Sequence, residues 1–498
     1  MAASPLADAL DRIERTVPAG RPLLLGPRTL CYGELFERAR RLAAFFRASG
    51  LGPGDRVLAA DADALALPEL LVAGLRCGVG VVSVDPAGDV AALAREHGAC
   101  MVFGDGVAAP DRPTVALRPR GWLDRLLRPP VVPTFTEVLG GYAPLAGWPE
   151  PPGAERTACV LFTAGTYAAP RALAVPHGAL AAGVAAVAGA LLLEGRARLL
   201  NPLPLHHAGG LVHGLLAALL AGGTLVRPPP LALPAEWVRR HGASHLIAAP
   251  AQLARLAVAD PNLFRTGAFR FVVSLGGVLD ETRWRGLEAR FGVRVATLYG
   301  PAEALGAAFA AGPGNSHRFA TVGRSLGCDH RIVDEQGRPC AVGAVGELQI
   351  RGGHVMAEQG GWLATGDLAA ADADGFVTLV GRRDAALRRG RLRVHPERTA
   401  AALRSHPDVV DAVAYAANGR LAAAVTLRRA LRSEVLFGHL RDRLPPSGLP
   451  DALSVLDALP RDSLGAPSPR ALRAARRGPA ADKPAIRVEG MLDDRFVR

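Results

Sequence analysis

The sequence predicts an α/β protein: a large N-terminal domain of parallel or mixed sheets with helices and a small β-rich subdomain, followed by a small α+β domain. Helical and strand-like stretches alternate up to residue 300, which implies parallel strands. Short strands joined by turns follow from residue 318, and the chain, at 498 residues, is too long for one compact core. We therefore predict domains at 1–382 and 383–478, with a loose tail at 479–498.

The first part of the chain alternates helix and strand. The stretch 34–50 has apolar residues at helical spacing and stops at a glycine, a common helix end. A strand at 56–62, a helix at 68–78 and a strand at 79–86 follow. Residues 104–155 are rich in Pro and Gly, and we expect a loop there with one short helix.

Four apolar stretches further along the chain predict strands of the same kind of sheet. They are 157–165, 244–250, 269–277 and 293–300, and a helix is expected at 251–259. Three of the four strands end in glycine. Ligands of open α/β sheets bind at the carboxyl ends of strands, so we expect the functional site at these ends.

The pattern changes in the last third of the chain. The β-rich piece comprises the predicted strands 319–327, 330–340, 345–353 and 375–382. The small α+β domain comprises a helix at 396–406, a strand pair within 411–427 and a helix at 433–444.

The charge balance is strongly basic. The formal charge is +12, and the 58 basic residues comprise 57 arginines and a single lysine, Lys483. A basic balance suits phosphates or nucleic acid, but arginines spread over solvated faces by coding bias explain it better. The densest patch, 382–393, has no interleaved aromatic residues on which bases could stack, which disfavours a nucleic-acid partner.

Cysteine usage and hydropathy exclude further classes. Six cysteines lie far apart with no CxxC pair, which argues against a zinc knuckle or a dense disulfide framework. The first residues include acids and no long apolar core, unlike a signal peptide. The longest apolar run, 208–226, contains His213 and several glycines, and it predicts a buried helix leading to a strand rather than a membrane span. We expect a reduced, soluble, cytoplasmic protein.

Several common enzyme motifs are missing from the sequence. It lacks GxxxxGK[ST], GxGxxG after a strand, GxSxG and HExxH, which disfavours Walker-type ATPases, Rossmann dehydrogenases, α/β-hydrolases and zincins. A strand followed by a loop of Gly, Ala and Thr occurs instead, in VLFTAGTYAAPRALAVPHGAL (160–180). Such loops bring backbone N–H groups and hydroxyls close to phosphate oxygens.

Three further motifs follow this loop in a fixed order: YGPAE (299–303), GWLATGD (361–367) and GRRD (381–384). Together with NPLPLHHAGGL (201–211), this order resembles the adenylate-forming superfamily of acyl- and aryl-CoA synthetases, peptide-synthetase adenylation domains and luciferase. The resemblance covers nearly the whole chain. It is strongest to aryl-acid CoA ligases of the o-succinylbenzoate–CoA ligase type.

The resemblance implies a site for the phosphates of ATP. Thr163, Gly165 and Thr166 fall in the loop that grips the β- and γ-phosphates in the family. Glu303 falls on the glutamate that holds Mg²⁺, a hard cation that prefers carboxylate oxygens. The structural alternatives are an ordinary turn for the loop and a surface helix-start residue for the glutamate.

The resemblance also implies an adenosine site. Asp367 would accept hydrogen bonds from both ribose hydroxyls, and Arg382 would contact the ribose and phosphate side. Tyr299 would stack on adenine. The glycines implied around the adenine are Gly276, Gly277 and Gly300. The alternatives are a turn aspartate, one solvated arginine among many, and a core aromatic.

The acid pocket and the hinge are implied in the same way. The pocket residues implied are His207, Gly210, Val278 and Ala304. The catalytic residues implied are Glu303, His207 and Arg382. Asp384 would be the hinge about which the small, mobile C-terminal domain rotates between half-reactions. For His207 the alternative is an ordinary, partly buried histidine.

The implied reaction has two halves. A carboxylate attacks the α-phosphorus of ATP and expels pyrophosphate, which gives an acyl-adenylate. The thiol of coenzyme A, or the phosphopantetheine of a separate acyl carrier protein, then displaces AMP. The protein aligns the in-line attack and neutralises charge with Mg²⁺ and hydrogen-bond donors. The expected substrate is an aryl or acyl carboxylic acid.

Departures from the family pattern affect the first half-reaction. The phosphate loop reads TAGTYAAPRA, with alanines at 164, 168 and 172. Near the C-terminus, LPRDSLGAPSPRAL (459–472) places Ala466 where the family has a catalytic lysine. The loss of one preorganised donor is expected to cost on the order of 10²–10³ in adenylation rate, whereas thiol transfer does not need this lysine in the family.

Two other functions are compatible with the sequence. An impaired homologue of the same fold would bind nucleotide, acyl-adenylate or a carrier protein without efficient turnover. A nucleic-acid-binding protein would use the arginine-rich segment 382–393. The lost lysine favours the first of these two, and the missing aromatic residues disfavour the second.

Overall fold

The structure is a computed structural model, and it describes residues 4–107, 111–118, 132–163, 170–228, 235–277, 279–312, 317–358, 361–390, 392–462 and 465–475. The strands, in chain order, are β1 (Pro22–Leu25), β2 (Thr29–Cys31), β3 (Arg56–Ala60), β4 (Gly80–Ser83), β5 (Met101–Gly104), β6 (Thr114–Val115), β7 (Thr157–Phe162), β8 (Ala172–Pro176), β9 (Arg198–Leu200), β10 (Thr224–Val226), β11 (His245–Ala248), β12 (Phe271–Leu275), β13 (Arg294–Tyr299), β14 (Phe309–Ala311), β15 (Arg324–Ser325), β16 (Cys328–Val333), β17 (Gly346–Gly352), β18 (Leu363–Ala371), β19 (Val377–Arg382), β20 (Leu387–Arg389), β21 (Leu392–Val394), β22 (Val409–Ala417), β23 (Arg420–Leu427) and β24 (Ala452–Val455).

Helices connect these strands. The α-helices are Pro5–Thr16, Tyr32–Ala48, Leu67–Cys77, Val90–Glu96, Phe135–Gly140, His177–Ala190, Ala208–Gly210, Ala217–Leu220, Ala235–Arg240, Pro250–Leu253, Glu281–Phe291, Pro396–Arg404, Ser433–Arg441 and Pro469–Ala475. A π-helix at Leu211–Leu216 and 3₁₀ turns at Ala254–Val258, Ala302–Ala304 and Pro446–Gly448 complete the described helical segments.

Two mixed sheets with parallel centres form the body of the protein, as the alternation of elements predicts. One has six strands in the order β6-β5-β3-β4-β7-β8, and all its pairs are parallel except β7 with β8. The other has nine strands in the order β15-β14-β13-β12-β11-β9-β10-β1-β2, parallel from β13 to β1. The carboxyl ends of β7, β12 and β13 therefore precede the glycine-containing motifs.

The long apolar run forms the buried helical segment that its sequence predicts. Ala208–Gly210, Leu211–Leu216 and Ala217–Leu220 follow one another and lead into β10 after a short turn. Almost all of these residues are buried in the main core. Among the described residues, helices combining the length and the apolar character needed to cross a membrane are absent.

A four-stranded antiparallel sheet, β16-β17-β18-β19, is the β-rich piece. One expectation was wrong here: the strand predicted at 319–327 is reduced to β15, which joins the edge of the nine-stranded sheet. The physical reason lies at Gly323, whose φ is +89°. A Cβ there would lie 1.7 Å from the Ala310 carbonyl oxygen, so the chain turns tightly against β14 instead of extending.

The segment from Leu387 to Ala475 has a hydrophobic core of its own, to which Leu403, Leu421 and Leu436 belong. It contains the sheet β22-β23-β24 and the two helices expected at 396–406 and 433–444. Below, the C-terminal lobe means the described residues after Arg382, and the N-terminal lobe means those up to Arg382.

A buried carboxylate links two helices and a loop of the N-terminal lobe. The Glu69 side chain is fully buried, and its oxygens accept hydrogen bonds from Arg28 at 2.9 and 2.6 Å. Arg38 Nε approaches the same carboxylate at 2.8 Å. This bidentate arrangement with two arginines compensates the desolvation of the charge.

We predict that Glu69→Ala lowers the free energy of unfolding by about 3 kcal/mol, because two partly buried guanidinium groups lose their counter-charge. Urea denaturation at pH 7 measures the change. Glu34→Ala is the matched control: Glu34 also pairs with Arg38 but is 44% exposed, so its loss is expected to cost less than about 0.5 kcal/mol. Equal effects of the two substitutions would contradict the buried role of Glu69.

Candidate active site

The carboxyl ends of the two large sheets meet at one place. The imidazole Nδ1 of His207, which follows β9, lies 3.3 Å from the carbonyl oxygen of Phe162, the last residue of β7. Thr163 follows Phe162 in the chain, and two hydrogen bonds join it to Arg171 at the other end of the phosphate-loop motif. Its backbone N–H donates to the Arg171 carbonyl at 3.0 Å, and the Arg171 N–H donates to the Thr163 hydroxyl at 2.9 Å. Gly165 and Thr166 lie outside the described residues, as does Val278.

Glu303 lies opposite the end of this loop. It belongs to the 3₁₀ turn Ala302–Ala304 after β13, and its Oε1 accepts a hydrogen bond from Arg171 Nη2 at 2.7 Å. Its side chain is 21% exposed, whereas that of Arg171 is 75% exposed. The pair joins the two motifs across 132 residues of sequence. Arg171 was not among the predicted site residues, although it lies within the loop motif TAGTYAAPRA.

A second polar cluster lies around Asp367 on β18. The Tyr299 hydroxyl donates to Asp367 Oδ2, and the Arg382 guanidinium lies 3.5 Å from Asp367 Oδ1. Arg382 also donates to both carboxylate oxygens of Asp384, at 3.1 and 3.2 Å. The GWLATGD and GRRD motifs are therefore neighbours, because Asp367 and Arg382 are paired in the β18–β19 register.

Gly366 provides the space in which the Arg382 guanidinium lies beside Asp367. Its φ is +74°, a left-handed conformation that favours glycine. A Cβ at Gly366 would lie 2.7 Å from Arg382 Nη2. The glycine before the aspartate therefore leaves the space that Arg382 occupies.

Burial and charge shift the pKa values in this cluster. Burial raises the pKa of Asp367, while the Tyr299 hydrogen bond and the Arg382 charge oppose that shift. Burial, and then the neighbouring Asp367 carboxylate, raises the pKa of the Tyr299 hydroxyl well above its ordinary value. The hydrogen bond from Arg382 lowers the pKa of Asp384. The cluster thus presents a buried carboxylate that already accepts two donors.

His207 occupies a buried polar site. Burial lowers its pKa, while the hydrogen bond with the Phe162 carbonyl and the carboxylates of Asp462 and Asp85 oppose the shift. Its ring lies 4.5 Å from that of His206, whose Nε2 is 4.0 Å from Asp85. Asp462 belongs to the C-terminal lobe, so both lobes act on this histidine. Asp462 and Asp85 were not among the predicted site residues, because no local motif marks either carboxylate as a neighbour of His207.

The remaining predicted residues lie near these groups along the chain. Gly276 and Gly277 follow the carboxyl end of β12, and Gly300 follows β13. A Cβ at Gly300 would lie 2.8 Å from the backbone nitrogens of Ala307 and Ala308, and one at Gly210 would lie 2.1 Å from the Pro204 carbonyl oxygen. Close backbone approach thus requires both glycines. Ala304 is fully buried.

Ala466 lies in a turn of the C-terminal lobe. Its N–H donates to Asp462 Oδ1 at 2.9 Å, and the Asp462 N–H donates to the Ala466 carbonyl at 2.8 Å. Arg461 and Pro467 pair as an isolated bridge across the same turn. The Asp462 carboxylate raises the pKa of His207, so this turn lies within electrostatic range of the polar site.

The carboxylates present fit a magnesium ion that is bound chiefly through phosphates. Clusters of three or more His, Cys, Asp or Glu residues able to hold a metal are not found among the described residues. Glu303 supplies a carboxylate beside the described end of the phosphate loop, where it accepts a hydrogen bond from Arg171. Mg²⁺ typically keeps several waters and binds through one or two carboxylates and substrate phosphates, so a single glutamate is compatible with it.

The fold and these contacts define an α/β enzyme of the adenylate-forming type. The chain belongs to the AMP-binding enzyme family, whose model matches residues 11–358. It is 30% identical over 482 residues to the sulfoacetate–CoA ligase of Cupriavidus necator, covering 89% of this chain and 93% of that protein. It is 28% identical over 471 residues to the L-proline–[L-prolyl-carrier protein] ligase of Pseudomonas fluorescens, covering 88% and 92%.

Solved structures share the fold over almost the whole chain. The ATP-bound MatB structure from Rhodopseudomonas palustris matches with a TM-score of 0.84 at 22% identity, covering 95% of this chain and 99% of that one. The o-succinylbenzoate CoA synthetase of Bacillus subtilis, in complex with its acyl-adenylate, matches with a TM-score of 0.79 at 22% identity, covering 95% and 99%. The predicted superfamily and fold class are confirmed.

A buried histidine, His213, lies beneath the Glu303 turn. Burial lowers the pKa of His213 to about 4, and its Nε2 lies 2.7 Å from the Leu305 carbonyl oxygen. Its Nδ1 has no hydrogen-bond partner among the described residues. Nε2 therefore donates to the carbonyl, and protonation of Nδ1 would place a charge in the core.

We predict that His213→Gln reduces the loss of stability in acid. Histidine stabilises the neutral fold fully above its unfolded pKa of about 6.5, and this contribution is lost as the pH falls towards 4. Glutamine keeps a donor for the Leu305 carbonyl but does not titrate. Between pH 7 and 5 the variant is expected to lose about 2 kcal/mol less than the parent, measured by urea denaturation. An equal loss in both proteins would show that His213 does not control this pH range.

Proposed function

We propose that this protein is an AMP-forming acid–thiol ligase that activates a carboxylic acid with ATP and transfers the acyl group to a thiol. The observation that supports it best is the Tyr299–Asp367–Arg382 cluster, which gathers three separate motifs around one buried carboxylate. Thr163 follows β7 of the six-stranded sheet and Glu303 follows β13 of the nine-stranded sheet, and the Arg171–Glu303 hydrogen bond joins these two segments. Family membership supports the same reaction.

The nucleotide is held from two sides in this proposal. Asp367 accepts the ribose hydroxyls, because a buried carboxylate with an open lone pair is a strong bidentate acceptor. Arg382 neutralises Asp367 and the adjacent phosphate. Tyr299 contributes its ring to adenine, and its hydroxyl keeps Asp367 oriented. Thr163, with Gly165 and Thr166, donates to the phosphates.

Glu303 holds Mg²⁺ in this proposal, and the ion supplies charge neutralisation for the departing pyrophosphate. The Arg171 side chain is largely exposed, so it is free to change its conformation. Arg171 would then contact a phosphate of ATP when Glu303 binds the cation. His207 lines the acid pocket with Gly210, Val278 and Ala304. Burial lowers the pKa of His207, so its imidazole can form a hydrogen bond with the acid without carrying a charge.

The domains proposed are 1–382 and 383–478, with Asp384 as the hinge. Two relatives suggest alternative thiol acceptors, because one is named a CoA ligase and the other a carrier-protein ligase. We infer coenzyme A or the phosphopantetheine of a separate carrier protein as the acceptor. The acid is an aryl or acyl carboxylate in either case.

A second candidate function rests on Ala466. The turn within electrostatic range of His207 has no basic side chain at the position of the family lysine. An enzyme without that donor adenylates slowly, but it can still bind an acyl-adenylate and pass the acyl group to a thiol. The protein would then act on an adenylate supplied by another enzyme.

The first prediction for this function concerns Asp367. A panel of aryl, short-chain and medium-chain acids is tested for acid-dependent AMP and pyrophosphate release with ATP and Mg²⁺. Asp367→Ala is expected to lower kcat/KM for ATP at least about 100-fold, because a charge-assisted bidentate contact worth about 3 kcal/mol is lost. Calorimetry with AMP measures binding separately.

Asp329→Ala is the matched control for this experiment. Asp329 lies on the same four-stranded sheet, but it is 68% exposed and pairs with Arg351 at the surface. It is expected to leave turnover unchanged. Absence of turnover with intact AMP binding would favour the second candidate, and salt-sensitive retention on DNA without nucleotide binding would contradict both.

The second prediction concerns Ala466. Ala466→Lys is expected to raise the single-turnover rate of adenylate formation by about 10²–10³, because it restores a preorganised donor to the developing charge. Ala466→Met, of similar length but uncharged, is the control and is expected to leave the rate unchanged. Thiol transfer from a synthetic acyl-adenylate should be the same in all three proteins. An unchanged adenylation rate in the lysine variant would show that the turn does not reach the phosphate.

A further inference from the structure

A buried aspartate contributes to the contact between the two lobes. Asp411 lies on β22 in the C-terminal lobe, and its side chain is only 7% exposed. Oδ2 is 3.0 Å from Arg461 Nη1, and Oδ1 is 4.0 Å from Nη2 of Arg283, a residue of the N-terminal lobe. A carboxylate buried this deeply persists only when its charge is compensated, and here two arginines from different parts of the fold do so.

Arg283 makes this contact from the helix Glu281–Phe291. Its Nη2 also donates to the Val410 carbonyl of the C-terminal lobe at 2.7 Å. Its Nε lies 3.4 Å from Asp280, the N-cap of the same helix. Arg404 of the C-terminal lobe also approaches Asp280, with its Nε 4.0 Å from the carboxylate. Opposite charges therefore alternate across the boundary.

Arg461 connects this interlobe network (Asp280, Arg283, Arg404, Asp411 and Arg461) to the Ala466 turn. The same Nη1 that contacts Asp411 donates to the Gly465 carbonyl at 2.8 Å. Gly465 and Ala466 close the turn with Asp462, which acts on His207. One guanidinium thus fixes the turn relative to β22, while Arg283 fixes β22 relative to the N-terminal lobe.

We propose that Asp411 is a positioning residue that holds the C-terminal lobe in the orientation in which the Ala466 turn lies within electrostatic range of His207. Arg283 is its partner on the N-terminal lobe, and Arg461 transmits the orientation to the turn. The effect on lobe orientation stands independently of the reaction. Only the effect on adenylation rests on the proposed function.

The experiment compares two variants that break the network with two that do not. Arg283→Ala and Asp411→Asn remove one charge from each side of the boundary. The control on the same helix is Arg285→Ala, whose contacts with Glu281 and Phe319 lie within the N-terminal lobe. The control beside β22 is Asp408→Asn, whose ion pair with Arg429 lies within the C-terminal lobe.

Hydrogen–deuterium exchange of the full chain measures how well the backbone amides at the lobe boundary are protected, and it does not require an active enzyme. Peptides covering 281–291 and 409–417 are expected to exchange roughly tenfold faster in Arg283→Ala and Asp411→Asn, and the double variant should add little more. The controls should match the parent. Unchanged exchange in Arg283→Ala, or a uniform increase over the whole chain with a lowered melting temperature, would overturn the proposal.

A kinetic measurement then tests the coupling to the site. Single-turnover adenylate formation is expected to slow about tenfold in the two network variants, whereas thiol transfer from a synthetic acyl-adenylate should not slow. Equal slowing of both half-reactions would overturn the positioning role, because a general loss of structure affects both. If the parent itself forms no adenylate with any acid, the proposed function fails while the exchange measurement still decides the role of Asp411.

Discussion

The burial of the Asp367 carboxylate is the constraint on which the site depends. A charge at this depth needs donors, and Tyr299 and Arg382 provide them from β13 and β19. Arg382 also donates hydrogen bonds to Asp384, so the guanidinium that compensates Asp367 also binds one of the first residues of the C-terminal lobe. One electrostatic requirement therefore ties together the nine-stranded sheet, the β-rich sheet and the start of the C-terminal lobe.

The second organising feature is the meeting of strand ends. Parallel strands of one sheet direct their carboxyl ends to the same edge, and the two large sheets bring these edges together where His207 contacts Phe162. Polar and glycine-containing motifs can follow buried strands there without disturbing the cores. The Arg171–Glu303 pair then spans the gap between the two sheets.

Arginine chemistry explains how the protein uses its basic composition. The guanidinium groups of Arg28, Arg382 and Arg461 each bridge several acceptors from different segments, which a planar, multidentate donor does better than an ammonium group. Many other arginines lie on exposed faces, in agreement with the interpretation that composition alone does not define a ligand. Ala466 differs from this pattern, because the resemblance to the family implies a lysine at its position.

Hydrophobic periodicity and glycine-containing motifs are local signals, so the fold class, the order of the motifs and the strands that end at the site could be predicted from the sequence. The sequence could not show that Arg171 pairs with Glu303, that Tyr299 donates to Asp367, or that the Asp462 carboxylate acts on the pKa of His207, since those partners are separated by 132, 68 and 255 residues. Tertiary packing creates these interactions. It also decided the position of β15 and the Asp411 network, because packing between sheets and lobes, not local preference, selects which charges must be compensated together.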